Sequence, residues 1–227
     1  MAENRSDPQE DERPLSPAEM LALVSDQQRS VEGQMGGFVP FILLAWGIAW
    51  TVGFGALWLS LGGLGEAFRV PGAVAIPVFA GLLIAAVIVS TVLSIRSSRG
   101  RRGGREGAFA GIVYGQAWWV GGIALWLWGQ AMVVNGMDAE LLGIFYPSGY
   151  IFFAGVMYIA AAVIWRAVPM LVLGAWSVVI SAAAPFFGQP THYLIYALAG
   201  GGAFLAASAV AAVWTRNARR RVARIAA

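Results

Sequence analysis

Between Phe38 and Leu61 the chain reads FVPFILLAWGIAWTVGFGALWLSL, without one Asp, Glu, Lys or Arg. A membrane helix needs roughly 20 mostly apolar residues to cross a hydrocarbon core of about 30 Å, and only closed structures survive there, because no water receives exposed peptide groups. This run is long enough. Charge-free apolar segments recur at 72–95, 108–134, 142–165, 167–187 and 193–214. The reading is an all-α fold, a polytopic bundle of six transmembrane helices over 38–214. A long acidic stretch before the first span, and no A-x-A cleavage pattern beside it, argue against a removable signal peptide.

Composition narrows the chemistry. The 227 residues are 59% hydrophobic and 12% charged, about half the charge of an ordinary soluble domain. With Cys 0 and His 1, disulfides, thiolate nucleophiles and zinc or haem sites built on two histidines are excluded. The spans hold no Asp, Glu, Lys, Arg or His, which removes a carboxylate proton relay and a charged voltage sensor. No phosphate-binding loop follows a strand, so any ATP-driven activity borrows a separate ATPase. No catalytic residue, cofactor or metal site is assigned, and the chain is not expected to be an enzyme. His192 is expected to be a solvated residue at the outer boundary.

Arginine sets the orientation. Arg96, Arg99, Arg101, Arg102 and Arg105 crowd the loop after the second span, and Arg216, Arg219, Arg220, Arg221 and Arg224 crowd the C-terminal tail, 215–227. The opposite loops hold Arg69 with Glu66, Asp138 and Glu140. Cytoplasmic loops are enriched in Lys and Arg, so both termini are expected in the cytoplasm of a multi-pass plasma-membrane protein. The basic segments adjoin hydrophobic spans and lack aromatic platforms, which favours anionic lipid headgroups over nucleic acid as their partner.

Residues 1–15 are rich in acid and proline and read as disordered. At Ser16-Pro17-Ala18-Glu19 a capping serine, a first-turn proline and a glutamate three residues after the cap start a cytoplasmic or interfacial helix over 16–36. Its apolar stripe is interrupted by Gln27 and Gln28, so it suits a helix lying at the headgroups or docking a cytoplasmic protein better than a coiled coil.

The chain repeats itself. Ala49-Trp50-Thr51-Val52-Gly53 continues to Ala56-Leu57-Trp58-Leu59, and Ala117-Trp118-Trp119-Val120-Gly121 continues to Ala124-Leu125-Trp126-Leu127. A weaker echo is Ala175-Trp176-Ser177-Val178. The even spans share Phe79-Ala80-Gly81, Phe153-Ala154-Gly155 and Leu198-Ala199-Gly200. Three repeated helical hairpins follow from this pattern, related by an axis along the membrane normal as in some transporters. Trp50, Phe54 and Trp58 share a helical face, as do Trp118 and Trp126. With Trp176 and the nearby Gln116 they are the candidate ligand-facing residues of an aromatic cavity. The competing reading is aromatic packing into glycine grooves, with Gln116 bonding a neighbouring helix. The small residues of the last span, Ala199 to Ala203, are expected to receive bulky side chains. Pro77, Pro147 and Pro185 are candidate kinks, and Tyr146-Pro147-Ser148-Gly149 a candidate break at the start of span four.

Leu15-Ser16-Pro17-Ala18-Glu19-Met20-Leu21-Ala22-Leu23, Gln27-Gln28-Arg29-Ser30-Val31 and Ala45-Trp46-Gly47 together resemble an uncharacterised family of six-span integral membrane proteins of actinobacterial type. The resemblance implies a membrane bundle and carries over no functional residue. The function expected from the residues is a small transporter, or the membrane subunit of one, for an apolar or neutral solute. The alternative is a non-transporting anchor or regulator that holds a cytoplasmic partner through the N-terminal helix. A homo-oligomer would use glycine-rich faces left over after bundling.

Overall fold

The computed structural model describes residues 16, 20, 37–98 and 105–225. Among them there is no strand, and six helices are long and apolar enough to cross a membrane. Helix α1 is Val39–Ser60, α2 Gly72–Ser98, α3 Arg105–Val134, α4 Ala139–Trp165 and α5 Val168–Ala183. The sixth span is composite. One α-turn, α6 at Thr191–Ile195, leads into a π-helical segment at Tyr196–Gly201 and then α7 at Gly202–Ile225. The acidic stretch 1–15 lies outside the described residues, as does the expected helix 16–36 apart from Ser16 and Met20, where the Met20 amide donates to the Ser16 carbonyl at 2.9 Å.

The expected spans are present, with local differences that have physical causes. Helix α4 runs unbroken through Pro147, so the expected break does not occur. Proline costs a helix one hydrogen bond rather than its continuity when another group receives the freed carbonyl. Helix α5 stops at Ala183 and tightens into a 3-10 turn over Ala184–Phe187 around Pro185. The basic tail expected from 215 continues α7 as far as Ile225, with Arg216 and Arg220 exposed.

Turn chemistry places the helices side by side. Asp138 caps α4 by accepting from the Leu141 amide at 2.8 Å. Between α4 and α5 only Arg166 and Ala167 intervene; Arg166 adopts the left-handed conformation (φ 52°), and the Ala167 amide donates to the Ala162 carbonyl at 3.1 Å. At the end of α1, Arg69 pairs with Glu66 at 3.1 Å and also donates from Nε to the Ser60 carbonyl at 3.0 Å.

Helix α1 is the hub. It packs on α2 and on the whole sixth span, while α4 packs on α5, and α3 rests substantially on α4 alone. The core gathers Trp50 and Phe54 of α1, Tyr196 of the π-segment, Phe204 of α7, Ile151 of α4 and Ile180 of α5. Two crossings are backbone-close. A Cβ on Gly155 would sit 2.8 Å from the Gly174 carbonyl oxygen, and one on Gly174 would sit 2.7 Å from that of Gly155. A Cβ on Gly200 would lie 2.6 Å from the Trp50 ring, and Gly201 crosses directly over Thr51. The expectation that the small surface of the last span receives bulky partners is met at Gly200. Lipid tails are as apolar as the side chains they replace, so close van der Waals fit of this kind is what associates membrane helices.

Candidate functional site

Helix α4 carries Tyr146, Tyr150 and Phe153 along one side, at the i, i+4, i+7 spacing that aligns side chains on a helix. All three reach α3 at glycine. Tyr146 lies over Gly129, its hydroxyl donating to the Trp126 carbonyl at 3.0 Å and accepting from Gln130 Nε2 at 2.8 Å. Tyr150 donates to the Gly122 carbonyl at 3.0 Å, and the Phe153 ring covers Gly121. Farther along, the Tyr114 hydroxyl donates to the Met157 carbonyl at 3.2 Å. These contacts fasten α3 by one edge.

Beside that edge the three helices α3, α4 and α5 leave an open groove of about 740 Å³. Its walls include Leu125 and Trp128 from α3, Leu141, Phe145 and Phe152 from α4, Ala182 from α5 and Pro185 from the 3-10 turn that follows it. The polar side chains on it are Ser148 and Ser181, and both are internally bonded: Ser148 Oγ donates to the Ile144 carbonyl at 2.6 Å and pairs with the Tyr196 hydroxyl at 2.8 Å, and Ser181 Oγ donates to the Val178 carbonyl at 2.8 Å. What the groove offers a ligand is apolar surface and shape. A second, shallower hollow of about 300 Å³ lies against Trp118, Trp119, Gly122, Trp126 and Tyr150.

Behind the groove sits a polar knot. Pro147 has no amide hydrogen, so the carbonyl four residues before it, Gly143, loses its helical partner. That carbonyl instead accepts from the Tyr193 hydroxyl at 3.0 Å and faces His192 Nε2 at 3.2 Å. His192 Nδ1 lies 3.1 Å from the Gly188 carbonyl, and Gln189 Nε2 donates to the Glu140 carbonyl at 2.8 Å. The expected solvated histidine is therefore wrong in its surroundings: His192 is 0% exposed and lies against the Tyr193 ring at 3.9 Å. The Gln189–Pro190 peptide in the same loop is cis.

The residues expected to face a ligand do not converge on one cavity. Trp50 and Phe54 are core residues, Trp50 meeting Phe204 at 5.0 Å and Phe54 meeting Tyr196 at 5.4 Å. Trp58 packs against the same core and over Gly63. Trp118 and Trp126 are brought together, on the shallow hollow, where Trp118 also meets Phe153 edge-on at 5.5 Å. Gln116 lies exposed on α3. Trp176 is half-exposed on α5 and donates to the Ala199 carbonyl in the π-segment at 2.9 Å.

The larger groove uses none of these candidates. Its one usable sequence signal was Tyr146-Pro147-Ser148-Gly149: a proline inside an apolar span releases the carbonyl at 143, and a distant donor has to be found for it. His192 and Tyr193 are the polar pair in α6, the first turn of the sixth span. No family model matches the chain, and neither a curated protein nor a solved structure does.

Proposed function

We propose that this integral membrane protein carries a neutral, largely apolar solute across a plasma membrane, as a small transporter or the membrane subunit of one. The groove bounded by α3, α4 and α5 carries the reading: a site of about 740 Å³ with saturated polar groups binds apolar or net-neutral molecules and rejects ions. Helix α3, one wall of that groove, is attached along one edge, so the wall moves without dismantling the core. The three-hairpin reading has support from equivalent contacts in two copies, Phe79 over Gly53 and Phe153 over Gly121. The arginine distribution supports cytoplasmic termini and contact of the basic segments with anionic headgroups.

The test is reconstitution into vesicles containing a fluorescent phosphatidylcholine, followed by bleaching of the outer leaflet with dithionite. Transport predicts that the protected inner half of the signal decays faster than in protein-free vesicles. Equal decay overturns the proposal for this class of solute.

A further inference from the structure

We infer that the groove is the seat of an acyl chain belonging to a lipid of the outer leaflet, one with a net-neutral head. The inference rests on the orientation and the groove proposed above and names the ligand class of that site. Its first observation is depth. Along α4 the groove runs from Leu141 to Phe153, which at helical rise is about 18 Å. One leaflet of a 30 Å hydrocarbon core is about 15 Å deep. In the proposed orientation one end of the groove, its mouth beside the α3–α4 turn, lies at the outer boundary, and the end at Phe153 lies near the bilayer midplane. The walls below the mouth are apolar, and a chain of the outer leaflet already lies parallel to them.

The second observation is charge at the mouth. Asp138 and Glu140 are exposed there, no arginine lies between Asn135 and Leu141, and Arg166 is at the opposite end of α4. An anionic head would meet these two carboxylates and no arginine of the α3–α4 turn. A zwitterionic head presents its ammonium to Glu140 at no net cost in charge. The third is the wall itself: Trp128 and Phe152 remain 58% and 50% exposed, large surfaces left uncovered by the protein's own side chains. They supply the dispersion contacts that order a chain.

The experiment uses the full chain in phosphatidylcholine vesicles doped with a phosphatidylcholine that bears a diazirine midway along one acyl chain. A matched phosphatidylglycerol probe replaces it in a second series, and labelled peptides are mapped by mass spectrometry. The seat predicts labelling concentrated on residues 121–128 and 141–153, stronger for the neutral head by about fivefold or more. Filling the groove at two exposed wall positions, with Ala124→Trp and Ala182→Trp, abolishes that labelling. An Ile84→Trp change on the outward face of α2 leaves it intact and reports that an added indole is itself harmless. Labelling spread evenly over α2 and α3, indifference to the filled groove, or preference for the anionic head each overturns the inference. Groove labelling without lipid movement would refute transport of this class of solute and leave the seat standing; movement without groove labelling does the reverse.

Discussion

Single atoms decide how tightly these helices meet. At the α4–α5 crossing each glycine lies against the other's carbonyl, so Gly155→Ala or Gly174→Ala forces backbone apart and is expected to cost roughly 1–3 kcal/mol. Gly81 has open space around it, and Gly81→Ala is expected to be neutral or slightly stabilising. Thermal melts in one detergent, monitored by circular dichroism, compare the two; equal losses would mean that the crossing is not the constraint. Thr51 offers a second case. Its hydroxyl oxygen is buried without a hydrogen-bond partner, directly beneath Gly201. Thr51→Val keeps the shape and removes the unpaired group, so it is expected to raise stability by about 1 kcal/mol. A lower melting temperature would show that the hydroxyl has a partner in the membrane. The Gly143 carbonyl gives a coupled prediction. Tyr193→Phe withdraws its hydroxyl donor and is expected to cost about 1–2 kcal/mol. Pro147→Ala supplies a helical amide for the same carbonyl, so the loss should shrink in the double variant by at least about 0.5 kcal/mol. Strict additivity would break the link between the proline and the knot.

At the scale of elements, the sixth span shows why a π-segment is kept. Six residues wound more widely leave carbonyls without their usual partners, and Trp176 supplies one donor, to Ala199. The same segment sets Tyr196, Gly200 and Gly201 against α1. Trp176→Phe keeps an aromatic ring, though a smaller one, and removes the N–H; a loss of about 1 kcal/mol is expected, with an unchanged melting temperature as the contrary result. This scale also marks the limit of what could be read in advance. The six spans were legible because a run of twenty apolar residues without charge is a strong, local signal, and spans such as 108–134 and Gly107–Val134 nearly coincide. Contacts built on glycine and aromatic repeats, such as Phe153 over Gly121, were partly legible from Ala117–Gly121 and Phe153–Gly155. Neighbour relations were not. A helix that is apolar all round has no polar face to point away from its partner, so nothing in α3 announced that it would lean chiefly on α4. His192 was misjudged for a related reason: its partners are main-chain carbonyls at 143 and 188, which leave no trace in side-chain patterns. The aromatic candidates were chosen by shared helical face, and a shared face says only that they meet something.

For the whole molecule, orientation is the property that arranges everything else. The chain has no cysteine, so single introduced thiols report sidedness without background. Ala67→Cys, in the turn after α1, is expected to react with an impermeant maleimide added to intact cells, and Ala218→Cys only after the membrane is opened. The opposite pattern would invert the bundle and put the groove mouth in the cytoplasmic leaflet.

The pairing of α1 with the sixth span also has a consequence in time. Ser208 donates to the Pro40 carbonyl at 2.7 Å across 168 residues of sequence, and Trp50 waits for Gly200 and Phe204. At about 5–20 residues per second of synthesis, the first helix stands in the bilayer on the order of ten seconds before its partner exists. During that interval the face that becomes the core is the stickiest surface on the nascent chain. A ribosome stalled before Thr191 would leave α1 in the bilayer and this protein still without a centre.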